Sequence, residues 1–195
     1  MKYQEAHAYI LNRLENELDP VYTYHSVDHT RDVVSMTEVL CRLESVGELD
    51  ARLLVTAAHY HDAGFLISRE EHEKAGCQIV RDTLPDFGYS NEHIERICGM
   101  IMATKIPQDP KDTCEMILSD ADLDYLGRDD FYTIGKQLYH ELYAFGVIKT
   151  WEEWNNLQIG FLSAHRYFTK TNLRRRRKEK LIRLRELENL VNQDS

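Results

Sequence analysis

No stretch of this 195-residue sequence holds the run of about 18 apolar residues that a membrane-spanning helix requires, so a bilayer span is excluded. Cysteine is sparse. Cys41, Cys77, Cys98 and Cys114 are far apart, form no C-x-x-C pair and sit among apolar neighbours. That pattern excludes a zinc ribbon and a disulfide framework, and it predicts four reduced thiols in or near the core. Only four prolines and nine glycines occur, with no low-complexity linker and no internal repeat. An excess of positive charge is also missing, the net charge being −9. Residues 1–172 carry 16 Lys and Arg against 29 Asp and Glu, a net −13, whereas residues 173–195 carry 8 against 4, a net +4. An acidic body repels a nucleic-acid backbone, so general DNA or RNA binding is not expected. The start, MKYQEAHAYILNRLE, has polar residues at helical spacing and lacks a basic segment followed by a long apolar core, and it reads as mature, cytoplasmic protein.

What is present is helical periodicity. Hydrophobic residues make up 43% of the chain and charged residues 29%, the balance of a globular protein long enough for one substantial core. Ile94, Ile97, Cys98, Ile101 and Met102 mark one face of a helix that Ser90 and Asn91 can cap and after which Pro107 and Pro110 break the chain. The same reasoning predicts helices near 2–17, 27–46, 50–61, 70–84, 91–104, 112–121, 128–145, 152–168 and 173–192, and no strand, hence an all-α fold. Gly47, Gly64, Gly88, Gly127 and Gly146 fall near helix ends, where left-handed C-caps are expected. The division is a body of residues 1–172 and a C-terminal basic amphipathic helix within 173–195. Leu181, Leu184, Leu187 and Leu190 recur every three residues, so the apolar stripe drifts and suits packing on the body or on a partner more than a long coiled coil. A homo-oligomer stays open. The run Arg174 to Lys178 has no aromatic residue within it and reads as a solvated or intramolecular face.

Three segments carry chemistry. His25 and His29, in Y-H-S-V-D-H-T, are four apart and share a helix face. In A-A-H-Y-H-D-A-G-F an apolar helix runs into His61 and Asp62, where buried charge is costly unless it is paired or metal-bound. His59 lies about 200° from His61 around a 3.6-residue turn, and spacing alone does not choose between them. In I-L-S-D-A-D-L-D-Y-L-G, Asp120, Asp122 and Asp124 interrupt an apolar segment. Tyr125 and Phe131 stand where a calcium loop counted from Asp120 would need Gly and Glu, which removes that reading. Asp120 and Asp124 share a face and Asp122 points elsewhere.

An H…HD…D order in an all-helical chain resembles the HD-domain superfamily of metal-dependent phosphohydrolases, with the likeness running over roughly residues 24–127 and supported by A-T-K-I-P, S-D-A-D-L-D-Y-L-G and F-L-S-A-H-R-Y-F-T. The resemblance implies a compact HD-type helical bundle and one divalent ion (Mn, Fe, Co, Ni, Zn or Mg) on His29, His61, Asp62 and Asp122, which decides for His61 over His59. Imidazole nitrogen and carboxylate oxygen suit such ions in a site that keeps positions open for water and substrate. Asp62 or Asp120 then takes a proton or orients the water. His25 matches a position at which phosphodiesterase relatives place the histidine that protonates the leaving oxygen, although the Asn that follows it there is Ser26 here. Lys74 and Lys105 are candidates for meeting a phosphate by charge. His72 lies near a position of the third histidine of binuclear relatives, but Thr104 stands in place of the fourth, so a single ion is expected, with His72 on the substrate side. His165 could close the pocket, while His7, His93 and His140 read as structural or surface residues. The implied activity is hydrolysis of a phosphomonoester or phosphodiester of a small phosphorylated substrate, a nucleotide, by a metal-activated water. The alternative is a regulatory module that binds metal and nucleotide with little or no catalysis.

Overall fold

The computed structural model describes residues 1–193, so the last two residues of the expected 173–195 segment lie outside it. The chain folds into α1 (Tyr3–Glu17), α2 (Val27–Leu43), α3 (Glu48–Tyr60), α4 (His72–Thr83), α5 (Asn91–Ala103), α6 (Thr113–Asp122), α7 (Phe131–Ala144), α8 (Trp151–Ala164), α9 (Lys170–Arg175) and α10 (Arg177–Gln193). Short 3₁₀ turns occupy Ala63–Leu66, Leu84–Phe87 and Asp124–Gly127, and there is no strand among the described residues. The all-α reading holds. No helix of the described residues is long and apolar enough to cross a membrane.

Side-chain caps set several helix starts, since a free backbone N–H in the first turn needs an acceptor. Ser90 accepts from His93 N at 3.3 Å, Asp112 from Glu115 N at 2.9 Å, Thr150 from Glu153 N at 3.1 Å and Thr169 from Asn172 N at 3.1 Å. Apolar faces of α1 to α6 then close one large core around Ile10, Leu40, Leu53, Leu54, Ile97 and Leu118. A second, smaller core gathers Tyr24, Leu126, Phe131, Leu162 and Leu187, joining the 124–127 turn to α7, α8 and α10. All four cysteines are free and buried.

The C-terminal region departs from its expected single helix. A break at Arg176 separates α9 from α10, because its side chain and backbone are both held by the body. Arg176 Nε donates to Asp124 Oδ1 at 2.9 Å. A Cβ on Gly127 would come within 2.4 Å of the Arg176 carbonyl oxygen, so only glycine allows that contact. The expected boundary after residue 172 falls inside α9, where Asn172 is fully buried. The described part of the tail lies on the body, with α10 along α8 and the 124–127 turn. Lys180 is buried there and donates to the carbonyls of Leu162 at 2.8 Å and His165 at 2.5 Å, which caps the C-terminal end of α8.

Of the five glycines expected in left-handed caps, Gly88 and Gly146 take positive φ, at 76° and 69°, and Ser45 does so after α2 at 57°. Gly64 serves closeness of approach instead. A Cβ there would meet the His72 carbonyl oxygen at 1.8 Å and Gly76 N at 2.7 Å, so the turn after His61 and Asp62 can dock on α4 only without a side chain. Gly64→Ala should therefore cost at least about 1–3 kcal/mol, the scale of forced overpacking. Gly47→Ala, where nothing lies within 4 Å, should stay within about 0.5 kcal/mol. Urea denaturation of the two variants checks this, and equal losses would remove the close-approach explanation.

Candidate metal centre

Three helix ends meet at one point. His29 lies in the first turn of α2, His61 and Asp62 follow the end of α3, and Asp122 is the last residue of α6, with all three helices packed on one another. The donor atoms of His29, His61 and Asp122 all lie within 4.8 Å of one another. His29 Nε2 is 3.4 Å from His61 Nε2 and 3.2 Å from Asp122 Oδ1, and His61 Nε2 is 3.6 Å from Asp122 Oδ1. Asp62 Oδ2 joins them at 3.1 Å from His61 Nε2 and 3.5 Å from His29 Nε2.

The donor set fits a divalent ion. Donors about 2.0–2.2 Å from a common centre must lie roughly 2.8–3.6 Å from one another for octahedral to tetrahedral angles, and the His29, His61 and Asp122 distances fall within that range, with Asp62 approaching from the side of the two histidines. Asp62 Oδ2 is also buried without a hydrogen-bond partner among the described residues, a costly state for an isolated carboxylate oxygen. His61 is aimed from behind, since its Nδ1–H donates to the Ala58 carbonyl at 2.8 Å and leaves Nε2 for the cluster. Burial favours the neutral forms, yet mutual attraction prevails. Burial raises Asp62, but the His61, His25 and His29 charges hold it below the usual carboxylate range. Asp122, likewise opposed by burial, is held at about 2 by His29 and His61. Burial lowers His61, and the carboxylates of Asp62 and Asp122 carry it well above its ordinary value.

His25 stands beside this cluster with its Nδ1 2.5 Å from Glu141 Oε1, while Glu141 Oε2 accepts from the backbone N–H of Tyr24 at 2.9 Å and of His25 at 3.0 Å. Phe65, from the same H-D-A-G-F segment, lies between the His25 ring at 4.4 Å and the His72 ring at 4.1 Å. His72 Nε2 is 3.8 Å from Asp62 Oδ1 and 3.4 Å from Glu73 Oε1. These groups form the polar end of a cavity of about 230 Å³ that runs on into the second core.

Other expected site residues lie elsewhere. Asp120 is fully buried but turned away from the cluster, accepting from Phe168 N at 2.8 Å, Thr169 N at 2.9 Å and Thr169 Oγ1 at 2.6 Å. It is two residues from Asp122 on a helix, which puts it on another face, and its role is to hold the segment between α8 and α9. Burial pushes its carboxyl up to about 6, against those three hydrogen bonds. Lys74 and Lys105 do not line the cavity, and both turn to exposed Glu71, at 2.6 Å and 3.6 Å. Thr104 lines it but donates its hydroxyl to Ile101 O at 2.8 Å. His59 is stacked on His7 at 3.9 Å in a separate place, and His165 lines a smaller neighbouring cavity.

A family model described as the HD domain matches residues 26–124, just over half of the chain. The chain belongs to the HD-domain family. That span holds all four converging donors. Among solved structures, the chain is similar to a predicted HD superfamily hydrolase from an uncultured Thermotogales bacterium, at 18% identity and a TM-score of 0.59, over 97% of this chain and 89% of the other. At that identity the likeness speaks for the fold. A search of curated proteins gives no match.

Glu141 and Glu73 went unread because each is an ordinary glutamate of an amphipathic helix until tertiary packing buries it, Glu141 to 2% exposure and Glu73 to 5%. Two tests follow from these contacts. Asp120→Ala should cost about 2–4 kcal/mol, since three donors lose their acceptor, while the metal content of the folded protein stays at the parent level. In metal-free protein the His25–Glu141 pair should add most stability between about pH 4.5 and 6.5, the ordinary glutamate and histidine values. Burial lowers the His25 pKa, but Glu141 and the cluster carboxylates raise it overall, so its contribution is lost as pH rises through that raised value. Burial raises Glu141, but His25 and the two backbone donors lower it overall, so its contribution is lost as pH falls through that depressed value. The stability difference between the parent and Glu141→Gln, measured by denaturation across pH, should peak inside that window. A flat difference would mean that the pair is not charged.

Proposed function

We propose that the protein is a metal-dependent phosphohydrolase that cleaves a phosphomonoester or phosphodiester. The observation that carries this reading is the convergence of His29, His61 and Asp122, with Asp62 beside the two histidines, next to a cavity lined by Asp62, Asp122 and His25. A divalent ion bound by these four side chains supplies a Lewis acid toward a phosphoryl oxygen and makes water more acidic. The chain's own groups do the rest. Asp62 Oδ1, on the cavity side near His72, takes a proton from the attacking water as the new P–O bond forms. His25 gives its Nε2 proton to the ester oxygen as the old P–O bond breaks. Glu141 occupies Nδ1, which fixes the ring and favours the protonated form that a general acid needs. One ion suffices, because the Thr104 hydroxyl is engaged with its own helix and offers no imidazole for a second.

A nucleotide is the substrate that the family resemblance implies, and no Lys or Arg among the described residues lines the cavity to meet further phosphates. A substrate with a single phosphoryl group therefore suits the site better than a triphosphate.

Asp62→Ala should abolish metal-dependent hydrolysis while keeping the helical circular dichroism. His25→Ala should keep one ion per chain and lose about 10²–10⁴-fold in kcat, the usual scale of a general acid. His72→Ala should keep both the ion and most of the rate. Elemental analysis with turnover of mono-, di-, tri- and cyclic nucleotides and simple phosphate esters measures all three. Undiminished turnover in metal-replete Asp62→Ala protein would overturn the reading.

A further inference from the structure

The cavity beside the cluster changes character along its length. At the mouth it presents only the acids and imidazoles already described, Asp62, Asp122, Glu73, His25 and His72. Beyond them its wall is apolar, built from Leu123, Leu126, Phe131, Trp154, Phe161 and Leu162. Tyr24 and Tyr125 lie side by side on it, with ring centroids 5.7 Å apart. Gln158 is the one amide on that wall, and its side chain has no hydrogen-bond partner among the described residues. A group entering this space is stripped of water and meets carbon on nearly every side. A second anionic group would face three carboxylates with no Lys or Arg to meet it, and a polyhydroxylated group would find too few polar partners for its hydroxyls, which is costly.

We propose that the preferred substrate is a monoester of phosphate with an uncharged, largely apolar alcohol, whose carbon skeleton fills this cavity while its single phosphoryl group sits at the cluster. This rests on the phosphohydrolase reading above and departs from the nucleotide that the family resemblance implies. The alcohol carries few hydrogen-bonding atoms, with Gln158, Tyr24 and Tyr125 as the polar side chains of that wall. Recognition comes from burying the skeleton out of water, so discrimination scales with apolar area and not with contacts to the phosphoryl group.

The test compares ethyl phosphate with 2-(1-naphthyl)ethyl phosphate, which share a primary alkyl leaving oxygen and differ in the apolar part, with AMP and glycerol 3-phosphate as polar competitors. With the metal-loaded protein, kcat/KM for the naphthyl ester should exceed that for ethyl phosphate by about 10- to 100-fold, the range expected for burying a group the size of a large apolar side chain. It should also exceed that for AMP. Phe161→Ala and Leu157→Asp should each narrow that ratio. Leu157 is exposed at the cavity rim, so its variant tests the wall even if the other fails to fold. Binding of 2-(1-naphthyl)ethylphosphonate, which is not hydrolysed, is followed in parallel through the fluorescence of Trp154, and both variants should weaken it. If the phosphonate binds tightly and the variants weaken it, but no ester is turned over, the phosphohydrolase reading fails and the apolar pocket stands. Equal kcat/KM for the two alkyl esters with weak phosphonate binding, or a preference for AMP, would overturn the pocket proposal and leave the hydrolase reading intact.

Discussion

Crowding of negative charge is the constraint around which this protein is organised. Asp62, Asp120, Asp124 and Glu141 are buried, and Asp122 is nearly so, near the ends of α3 and α6 and on α7. Carboxylates brought together out of water repel one another and lose hydration, so each needs its own compensation. The chain answers in three ways. Asp62 and Asp122 face the imidazoles of His29 and His61. Asp120 and Asp124 are met by the N–H groups, the Thr169 hydroxyl, Asn172 and Arg176 of the C-terminal region. Glu141 takes up two backbone N–H groups and one histidine.

This division explains why a basic tail is attached to an acidic body. The α9–α10 region does not form a separate unit. It supplies donors to the outward pair, Asp120 and Asp124, on the side of the segment away from Asp122. The same segment closes the second core through Leu187, so electrostatic satisfaction and apolar burial act on the same contacts. The basic run thus has a structural use in Arg176, while its neighbours stay on the surface.

How much of this was legible in the sequence depended on whether a local rule could carry the information. The helices were, because caps and apolar periodicity are local. His29, His61, Asp62 and Asp122 stood out through the family resemblance that a short motif carries, since spacing alone left His59 and His61 open. The two faces of the D-A-D-L-D segment followed from helical geometry, which separates Asp122 from Asp120 and Asp124. Spacing did not say which face looks toward substrate, and Asp120 was read as a proton acceptor when its partners lie 48 and 49 residues downstream. Glu141 is 116 residues from His25, and no local pattern links them. Gly64 carried a signal that was misread. A glycine just after a helix suggests a left-handed cap, whereas here the missing Cβ allows a backbone of α4 to pass close by.

The cavity follows from the way two cores of unequal size meet. The larger core is complete within α1 to α6, and the smaller one needs α7, α8 and α10 to cover Leu123, Tyr125 and Leu126. Because α6 ends at Asp122, the chain passes directly from a residue of the cluster to the apolar residues of the second core. Polar chemistry and apolar wall are therefore neighbours by connectivity. His25 enters from one side on the segment before α2, and Trp154, Gln158 and Phe161 enter from the other on α8. The α8 face can vary in side-chain size without disturbing His29, His61, Asp62 or Asp122, since none of those donors comes from it. A fold arranged this way keeps the histidine and aspartate cluster fixed while the wall beside it is shaped in part by a helix on which the cluster does not depend.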